Sequence, residues 1–237
     1  MQIVDTAEFY TQGLGKATQD LLSGRLRKHF PVNPDAVVMG LGYAAPFLSA
    51  ESRHLAFMMA RGGVVHWPNQ GTVKSALVDE LDLPLPDNSV EMALLIHALE
   101  FADSAEDLMS EIWRVLTPQG KLIVIVPNRR GLWAISDITP FGQGQPFSRG
   151  QLAKLLKDAK FSIATIDPAF IAPPQAGPAI LRAVEPFAKL GFSGFAGLNF
   201  AVATKQVHGY SVGKLARRTL PRFKPVLLPG AQPAAKL

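Results

Sequence analysis

Residues 79–100 read DELDLPLPDNSVEMALLIHALE, and this stretch decides the fold. Its first half is acidic and contains prolines, which indicates a turn, and its second half contains the run Val90–Ile96, which is apolar except for Glu91. An apolar run of this length beside turn residues is typical of a strand that is buried on both faces. His97 follows at the carboxyl end of that predicted strand.

Six further apolar runs of strand length occur in the chain, with helical or loop segments between them. Alternation of this kind predicts a parallel sheet that is covered by helices. The predicted strands are residues 36–39, 54–60, 75–78, 90–96, 121–126, 162–166 and 197–204. The sequence therefore predicts an α/β fold with a doubly wound, mostly parallel seven-stranded sheet and helices on both faces.

Apolar residues recur with helical spacing in four segments. Residues 1–30 predict one or two helices before the first strand, and residues 173–191 predict an amphipathic helix late in the chain. Ser104 and Ser148 are predicted to cap helices over 104–116 and 148–159, because a serine hydroxyl can accept a hydrogen bond from a free amide of the first turn. Residues 117–120 predict a turn.

Composition and charge bound the class of protein. The chain has 237 residues, of which 48% are hydrophobic and 18% are charged, and this balance is typical of a globular fold. No apolar run approaches the roughly 18 residues of a membrane span, and the first residues do not resemble a secretory signal peptide. We therefore expect a cytoplasmic protein without a membrane contact. The absence of cysteine excludes thiolate metal sites and cysteine nucleophiles, and we predict no metal site.

The basic charge is concentrated at the end of the chain. Seven of the 24 basic residues, and none of the 19 acidic residues, lie from Lys205 onwards. We predict a helical lead-in over 1–35, an α/β domain over 36–208 and a basic, Pro- and Ala-rich tail over 209–237. The tail could serve a protein partner or remain solvated. We expect no nucleic-acid partner, because base-stacking aromatic residues are sparse in the tail.

Gly40-Leu41-Gly42 follows the first predicted strand. In an open parallel sheet, ligands bind beyond the carboxyl ends of the strands, at the point where the strand order reverses. Glycine at that point lets the backbone approach a ligand closely. The same pattern also occurs as an ordinary tight turn, so the motif by itself leaves both interpretations open.

Gly40-Leu41-Gly42-Tyr43-Ala44 resembles the glycine loop of class I S-adenosylmethionine-dependent methyltransferases, and residues 79–89 resemble their adenine-side strand end and turn. The resemblance continues through residues 97–100, 111–122 and 147–161, in the order and spacing of the family. It implies a Rossmann-like methyltransferase fold and S-adenosylmethionine as the cofactor. It also implies a small-molecule acceptor, as in the ubiquinone and menaquinone biosynthetic methyltransferases.

The resemblance also implies which residues hold the cofactor. They are Gly40, Gly42 and Tyr43 of the glycine loop, and Asp79, Glu80 and Leu81 at the third strand. The Asp79 carboxylate is placed to accept a hydrogen bond from the exocyclic adenine amine, with the Glu80 and Leu81 amides nearby.

Two positions depart from the family pattern. Ala44 replaces the third glycine, and Met59, Ala60 and Arg61 stand where the family has an acidic residue for the ribose hydroxyls. Losing that acceptor costs about 1.5 to 3 kcal/mol, or about ten- to a hundred-fold in affinity. A weakly active or inactive methyltransferase-fold protein that serves as a binding or regulatory module is therefore an alternative. An RNA methyltransferase that uses the basic tail is a second.

The remaining candidates line the predicted acceptor side. His97 could accept a proton as the catalytic base, or it could be a buried, hydrogen-bonded structural histidine. Trp67 could cover the adenosine or plug a loop. Arg129, Arg130 and Trp133 suit an anionic or aromatic substrate, although exposed loop arginines explain the first two equally well. Residues 139–147 could form a lid or a fixed crossover.

Overall fold

A seven-stranded sheet organises the computed structural model, which describes residues 3–59, 66–188 and 195–207. The predicted tail, together with Ala60 and Arg61, lies outside the described residues. The helices are α1 (Ile3–Thr11), α2 (Gly13–Leu26), α3 (Ala105–Val115), α4 (Arg149–Asp158) and α5 (Gly177–Val184). The strands are β1 (Val38–Gly42), β2 (His54–Met59), β3 (Ser75–Val78), β4 (Val90–Ile96), β5 (Leu116–Pro127), β6 (Phe161–Ala169) and β7 (Leu198–Lys205).

The strand order is β3-β2-β1-β4-β5-β7-β6. Strands β1 to β5 are parallel, whereas β7 pairs antiparallel with both β5 and β6. The predicted fold class is confirmed. The chain winds outward in opposite directions from β1 and β4, so the carboxyl ends of these two strands form the switch point where ligands bind in such sheets.

Helices cover both faces of the sheet, because alternate residues of each buried strand point to opposite sides. Helices α3 and α4 pack on one face against Met39, Leu41 and Leu95. Helices α1, α2 and α5 pack on the other face against Val38, Leu94 and other strand residues. The predicted caps are also confirmed, since Ser104 accepts from the Asp107 amide and Ser148 forms a capping box with Gln151.

One predicted turn is wrong, and a second lies within the bounds of a strand. Gly40-Leu41-Gly42 forms the end of β1, where Gly40 pairs with Ala56 of β2 and Leu94 of β4, and the chain turns only at Tyr43. Residues 117–120 belong to the long strand β5, in which Gln119 adopts a φ of 65°. In the first segment, pairing with β2 and β4 outweighs the local preference for a turn. Residues 117–120 lie where the register between β4 and β5 shifts, between the pairs Val90–Leu116 and Met92–Lys121.

The connection from β1 to β2 is short. It contains a single 3₁₀ turn over Ala45–Phe47 in place of a full crossover helix. Trp67 packs beside this turn on a small cluster of Ala45, Ala56 and Met58. This position favours the hydrophobic plug among the two interpretations of Trp67. None of the helices in the described ranges is long and apolar enough to cross a membrane.

Candidate active site

The ends of β1 and β4 are in direct contact at the switch point. Gly42 adopts a φ of +83°, and a Cβ placed on it would lie 2.3 Å from the Ile96 carbonyl oxygen and 2.5 Å from that of His97. The Tyr43 amide donates to the Ile96 carbonyl over 2.9 Å. Only glycine fits this approach, and it brings the backbone of Tyr43 next to His97.

His97 lies buried directly after β4, with a φ of 53° that is unusual for a residue other than glycine. Its Nε2 is 3.0 Å from the hydroxyl oxygen of Tyr10, which belongs to α1. Its Nδ1 is 3.4 Å from Oε1 of Glu100. The imidazole therefore lies between a phenol and a carboxylate, which is an arrangement suited to moving a proton.

Glu100 is the least expected member of the site. Its side chain is 1% exposed, and neither carboxylate oxygen has a hydrogen-bond partner among the described residues. The same holds for His97 Nδ1 and for Thr139 Oγ1. Buried polar atoms without partners are rare, and they occur preferentially where a protein binds a ligand or carries out chemistry.

An aromatic cap surrounds His97, and we define it as Tyr10, Tyr43, Phe47 and Phe141. Tyr10 stacks on Tyr43 with ring centroids 5.3 Å apart and meets Phe47 edge-on at 5.8 Å. Phe141 lies 4.3 Å from the His97 ring. Burial, and after it the charge of Glu100, raises the pKa of Tyr10 well above its usual value, so Tyr10 keeps its proton.

Asp79 lies exposed just after β3, as the sequence predicts. Its Oδ1 accepts a hydrogen bond from the Leu81 amide over 2.9 Å, which fixes the carboxylate at the strand end. Asp79 also forms a backbone bridge with Asp82. Asp79, Glu80 and Leu81 thus form one ordered turn at the edge where the adenine is predicted.

Arg114 and Glu111 of α3 hold the loop that follows this turn. Glu111 accepts from the Leu83 amide, and Arg114 donates to the carbonyls of Leu83 and Leu85. Arg114 also donates to both oxygens of Glu111 and to Asp87. Glu111 and Arg114 thus hold in place the loop that follows Asp79.

We expect Arg114→Ala to lower the free energy of unfolding by about 1 to 2 kcal/mol, since several charged hydrogen bonds are lost from a partly exposed group. Arg114→Lys should restore only part of this loss, because one ammonium cannot replace a planar guanidinium. Urea denaturation of both variants measures the effect. Lys154→Ala removes the exposed pair with Asp158 and should leave stability unchanged. Equal losses in Arg114→Ala and Lys154→Ala would contradict the positioning role.

The residues present suit the methionine and adenine parts of S-adenosylmethionine, but they lack the acidic residue expected for its ribose. Gly42 provides the close backbone approach beside β4, and Asp79 provides a fixed carboxylate on the adenine side. For the ribose, Met59 is buried, and no aspartate or glutamate occurs between Glu51 and Asp79 in the sequence. Among the described residues, no cluster of three or more His, Asp or Glu could hold a metal ion.

The predicted substrate residues separate into two groups. Arg129 and Arg130 are exposed beyond β5. Trp133 is 1% exposed, and its indole N–H donates to the Ala172 carbonyl over 2.8 Å. Trp133 therefore packs in the core, which argues against the predicted substrate contact.

Loop 139–147 is anchored at several points. The Gln145 amide donates to the Glu100 carbonyl over 2.7 Å, and Asn199 donates to the Phe147 carbonyl. Phe141 is fully buried within the aromatic cap. These contacts favour a fixed crossover over a lid.

Sequence reasoning included residues 97–100 as a motif but missed the role of Glu100. The spacing of three residues from His97 was the available signal, because a tight turn after a strand can bring such a pair together. Tyr10 left no comparable signal, since it lies 87 positions before His97.

Solved structures share this fold at low sequence identity. The geranyl diphosphate C-methyltransferase of Streptomyces coelicolor, solved with geranyl diphosphate and S-adenosyl-L-homocysteine, is 17% identical with a TM-score of 0.54, over 79% of this chain and 77% of that one. An S-adenosylmethionine-dependent methyltransferase from Mesorhizobium loti is 15% identical with a TM-score of 0.52, over 77% and 96%. The cyclase SpnF is 17% identical with a TM-score of 0.52, over 79% and 81%.

The chain therefore has the Rossmann-like methyltransferase fold. Residues 39–124, which run from β1 into β5, match the family model for a methyltransferase domain. No curated protein sequence matches the chain. The matched segment and the fold are similar to those of methyltransferases. The cyclase shows that the fold alone does not determine the reaction.

Proposed function

We propose that this protein transfers the methyl group of S-adenosylmethionine to a small-molecule acceptor, with His97 as the base that takes the acceptor's proton. One observation carries this proposal: His97 is buried at the switch point, and its two ring nitrogens face a hydroxyl and a carboxylate. A histidine held in this way can accept a proton from a hydroxyl while the carboxylate stabilises the resulting imidazolium.

The remaining predicted residues would position the two reactants. Gly40, Gly42 and Tyr43 would line the methionine side of the cofactor, and Asp79, Glu80 and Leu81 the adenine side. The cofactor, when bound, supplies an electrophilic methyl group. The aromatic cap excludes water from His97, which keeps the hydrogen bonds of the site strong.

A binding or regulatory module is a second candidate. The absent acidic residue after β2 and the tight packing of Ala44, whose Cβ lies 2.5 Å from where a Cβ on Gly40 would stand, both restrict the cofactor side. In this case the fold would persist with a weak or lost cofactor site, and the partner would bind elsewhere.

Isothermal titration with S-adenosylmethionine and S-adenosylhomocysteine separates the two candidates. The enzyme should bind both compounds, and Asp79→Ala should weaken this binding about ten- to a hundred-fold through the loss of a charged hydrogen bond. Asp82→Ala, which removes a neighbouring exposed carboxylate, is the matched control and should leave the affinity unchanged.

Each outcome has a definite meaning. An absence of heat at millimolar ligand would overturn the proposal of an active methyltransferase and favour a binding or regulatory module. Binding that Asp79→Ala leaves intact would place the adenine elsewhere in the protein. Equal weakening by Asp79→Ala and Asp82→Ala would indicate a general charge effect.

A further inference from the structure

A cleft over the first residues of β1 and β2 has the features of a second ligand site. We propose that this cleft binds a flat aromatic carboxylate, with His54 and Arg27 holding the carboxylate group. Val38 and His54, which begin the two strands, line the cleft, whereas the cofactor and the acceptor belong at the carboxyl ends of the sheet. The site therefore adds to the proposed methyl transfer and does not depend on it.

The cleft forms where a crossover helix is missing. Between β1 and β2 the chain makes only the 3₁₀ turn Ala45–Phe47, and residues 47–52 form one side of the cleft. The other side comes from residues 27–36, which follow α2. The cleft has a volume of about 320 Å³, which is the size of a small-molecule site.

The walls of the cleft are mostly apolar and flat. They are made by Phe30, Pro31, Pro34, Ala36, Phe47 and Leu48. The ring of Phe30 stacks on the ring of His54, with centroids 5.5 Å apart and an interplanar angle of 20°. Flat, apolar side chains of this kind favour a ligand with an aromatic ring.

The walls are also held in place before any ligand binds. The Lys74 ammonium donates to the carbonyls of Ala50 and Ser52, which fixes the loop before β2. Phe47 is held from behind by an edge-on contact with Tyr10 at 5.8 Å. A preformed site binds more tightly, because less conformational freedom is lost on binding.

His54 supplies a hydrogen-bond donor to the cleft. Its Nδ1 accepts from the Ser49 amide over 2.9 Å, so the proton of the neutral ring is on Nε2. Burial, and after it the charge of Lys74, lowers the pKa of His54, which keeps the ring neutral at pH 7. Nε2 has no hydrogen-bond partner among the described residues. This N–H group is therefore available to an acceptor atom of a ligand.

Arg27 supplies the charge. It is the one charged side chain among the described residues that line the cleft. It is exposed, and its guanidinium makes no hydrogen bond or ion pair with another described residue. A planar guanidinium matches the two oxygens of a carboxylate. A ligand with one negative charge and a flat apolar body thus complements both the charge and the walls of the cleft.

The first test compares three probes by titration calorimetry, without cofactor. Cinnamate has the flat ring and the carboxylate, cinnamamide lacks the charge, and 3-cyclohexylpropanoate keeps the charge but is not flat. Cinnamate should bind at least about tenfold tighter than cinnamamide, because charged hydrogen bonds are lost in the amide. It should bind about three- to tenfold tighter than 3-cyclohexylpropanoate, because the saturated ring cannot stack.

The second test uses substitutions that locate the site. His54→Asn keeps a side-chain oxygen for the Ser49 amide but lacks the Nε2 donor, so it should weaken cinnamate binding about tenfold. Arg27→Gln, at an exposed position, should fold normally and weaken cinnamate binding about two- to fivefold. Lys28→Gln is the matched control, because it changes the net charge equally but lines a separate cleft beside α5. It should leave the affinity unchanged.

Three results would overturn the proposal. The first is an absence of heat with millimolar cinnamate, and the second is equal affinity for cinnamate and cinnamamide. The third is a cinnamate affinity that Arg27→Gln and Lys28→Gln change equally, or that neither changes, because the carboxylate would then bind elsewhere. Since these titrations contain no cofactor, their failure is distinguishable from failure of the proposed function, which appears in the titrations of Asp79→Ala.

Discussion

Gly42→Ala is expected to lower the free energy of unfolding by about 3 to 5 kcal/mol and to abolish function. A positive φ costs a residue with a side chain about 1 to 3 kcal/mol, and overpacking adds a similar amount. The new methyl group would stand 2.3 Å from the Ile96 carbonyl oxygen and 2.5 Å from that of His97. Both contacts are with backbone, so relief requires β1 and β4 to separate. Urea denaturation measures the loss.

Gly71→Ala is the matched control. Gly71 has a φ of +86°, close to that of Gly42, but a Cβ placed there meets nothing within 4 Å. It should therefore lose only the cost of the backbone conformation, about 1 to 3 kcal/mol. The difference between the variants isolates the contact between β1 and β4. If both lose the same stability, the close approach has no energetic weight.

The strands nearest the site could be read from the sequence because their signal is local. The bounds predicted for β3 and β4 agree with the structure, since each is a short, mainly apolar run beside turn residues. The two serine caps were predictable for the same reason, as the hydroxyl and the amide it binds are only three residues apart.

The errors arise where distant residues decide. Local preference predicts a turn at Gly40–Gly42, but pairing with β2 and β4 extends the strand to Gly42. Trp133 follows β5, where a residue that contacts the acceptor is expected. Its indole instead donates to the Ala172 carbonyl and is buried in the core. In both cases the contacting residues are far apart in the sequence, so no local sequence pattern predicts the contact.

The candidate site also contains residues that local sequence predicts and residues that only tertiary packing places there. His97 was predictable from its place at a strand end, whereas Tyr10 reaches it only because α1 packs against the face of the sheet that carries Ile96. An amphipathic pattern shows that a helix has a buried face, but it does not say which strand end that face will cover. The contact between Tyr10 and His97 therefore depends on tertiary structure.

Stability and chemistry oppose each other at Glu100. A buried carboxylate without hydrogen bonds is costly, and a protein selected for stability alone would not keep one there. His97 Nδ1, at 3.4 Å, is the sole nearby charge partner seen in the described residues, and it becomes one only when the imidazole is protonated. The carboxylate thus serves the protonated state that deprotonation of an acceptor creates.

Glu100→Met should consequently raise the free energy of unfolding by about 1 to 3 kcal/mol, since it replaces an unsatisfied buried carboxylate with an apolar side chain of similar size. The same variant should lower the rate of methyl transfer, because the imidazolium loses its carboxylate. Urea denaturation gives the first quantity, and formation of S-adenosylhomocysteine from S-adenosylmethionine in the presence of an acceptor gives the second.

Glu185→Met is the matched control, because Glu185 is similarly buried, at 5% exposed, but is satisfied. It accepts from the Arg25 guanidinium over 2.5 Å and from the Phe170 amide over 2.9 Å. Its replacement should destabilise the protein by about 2 kcal/mol, so the two substitutions should have opposite signs. Destabilisation by Glu100→Met would contradict the view that its carboxylate is unsatisfied in the folded protein.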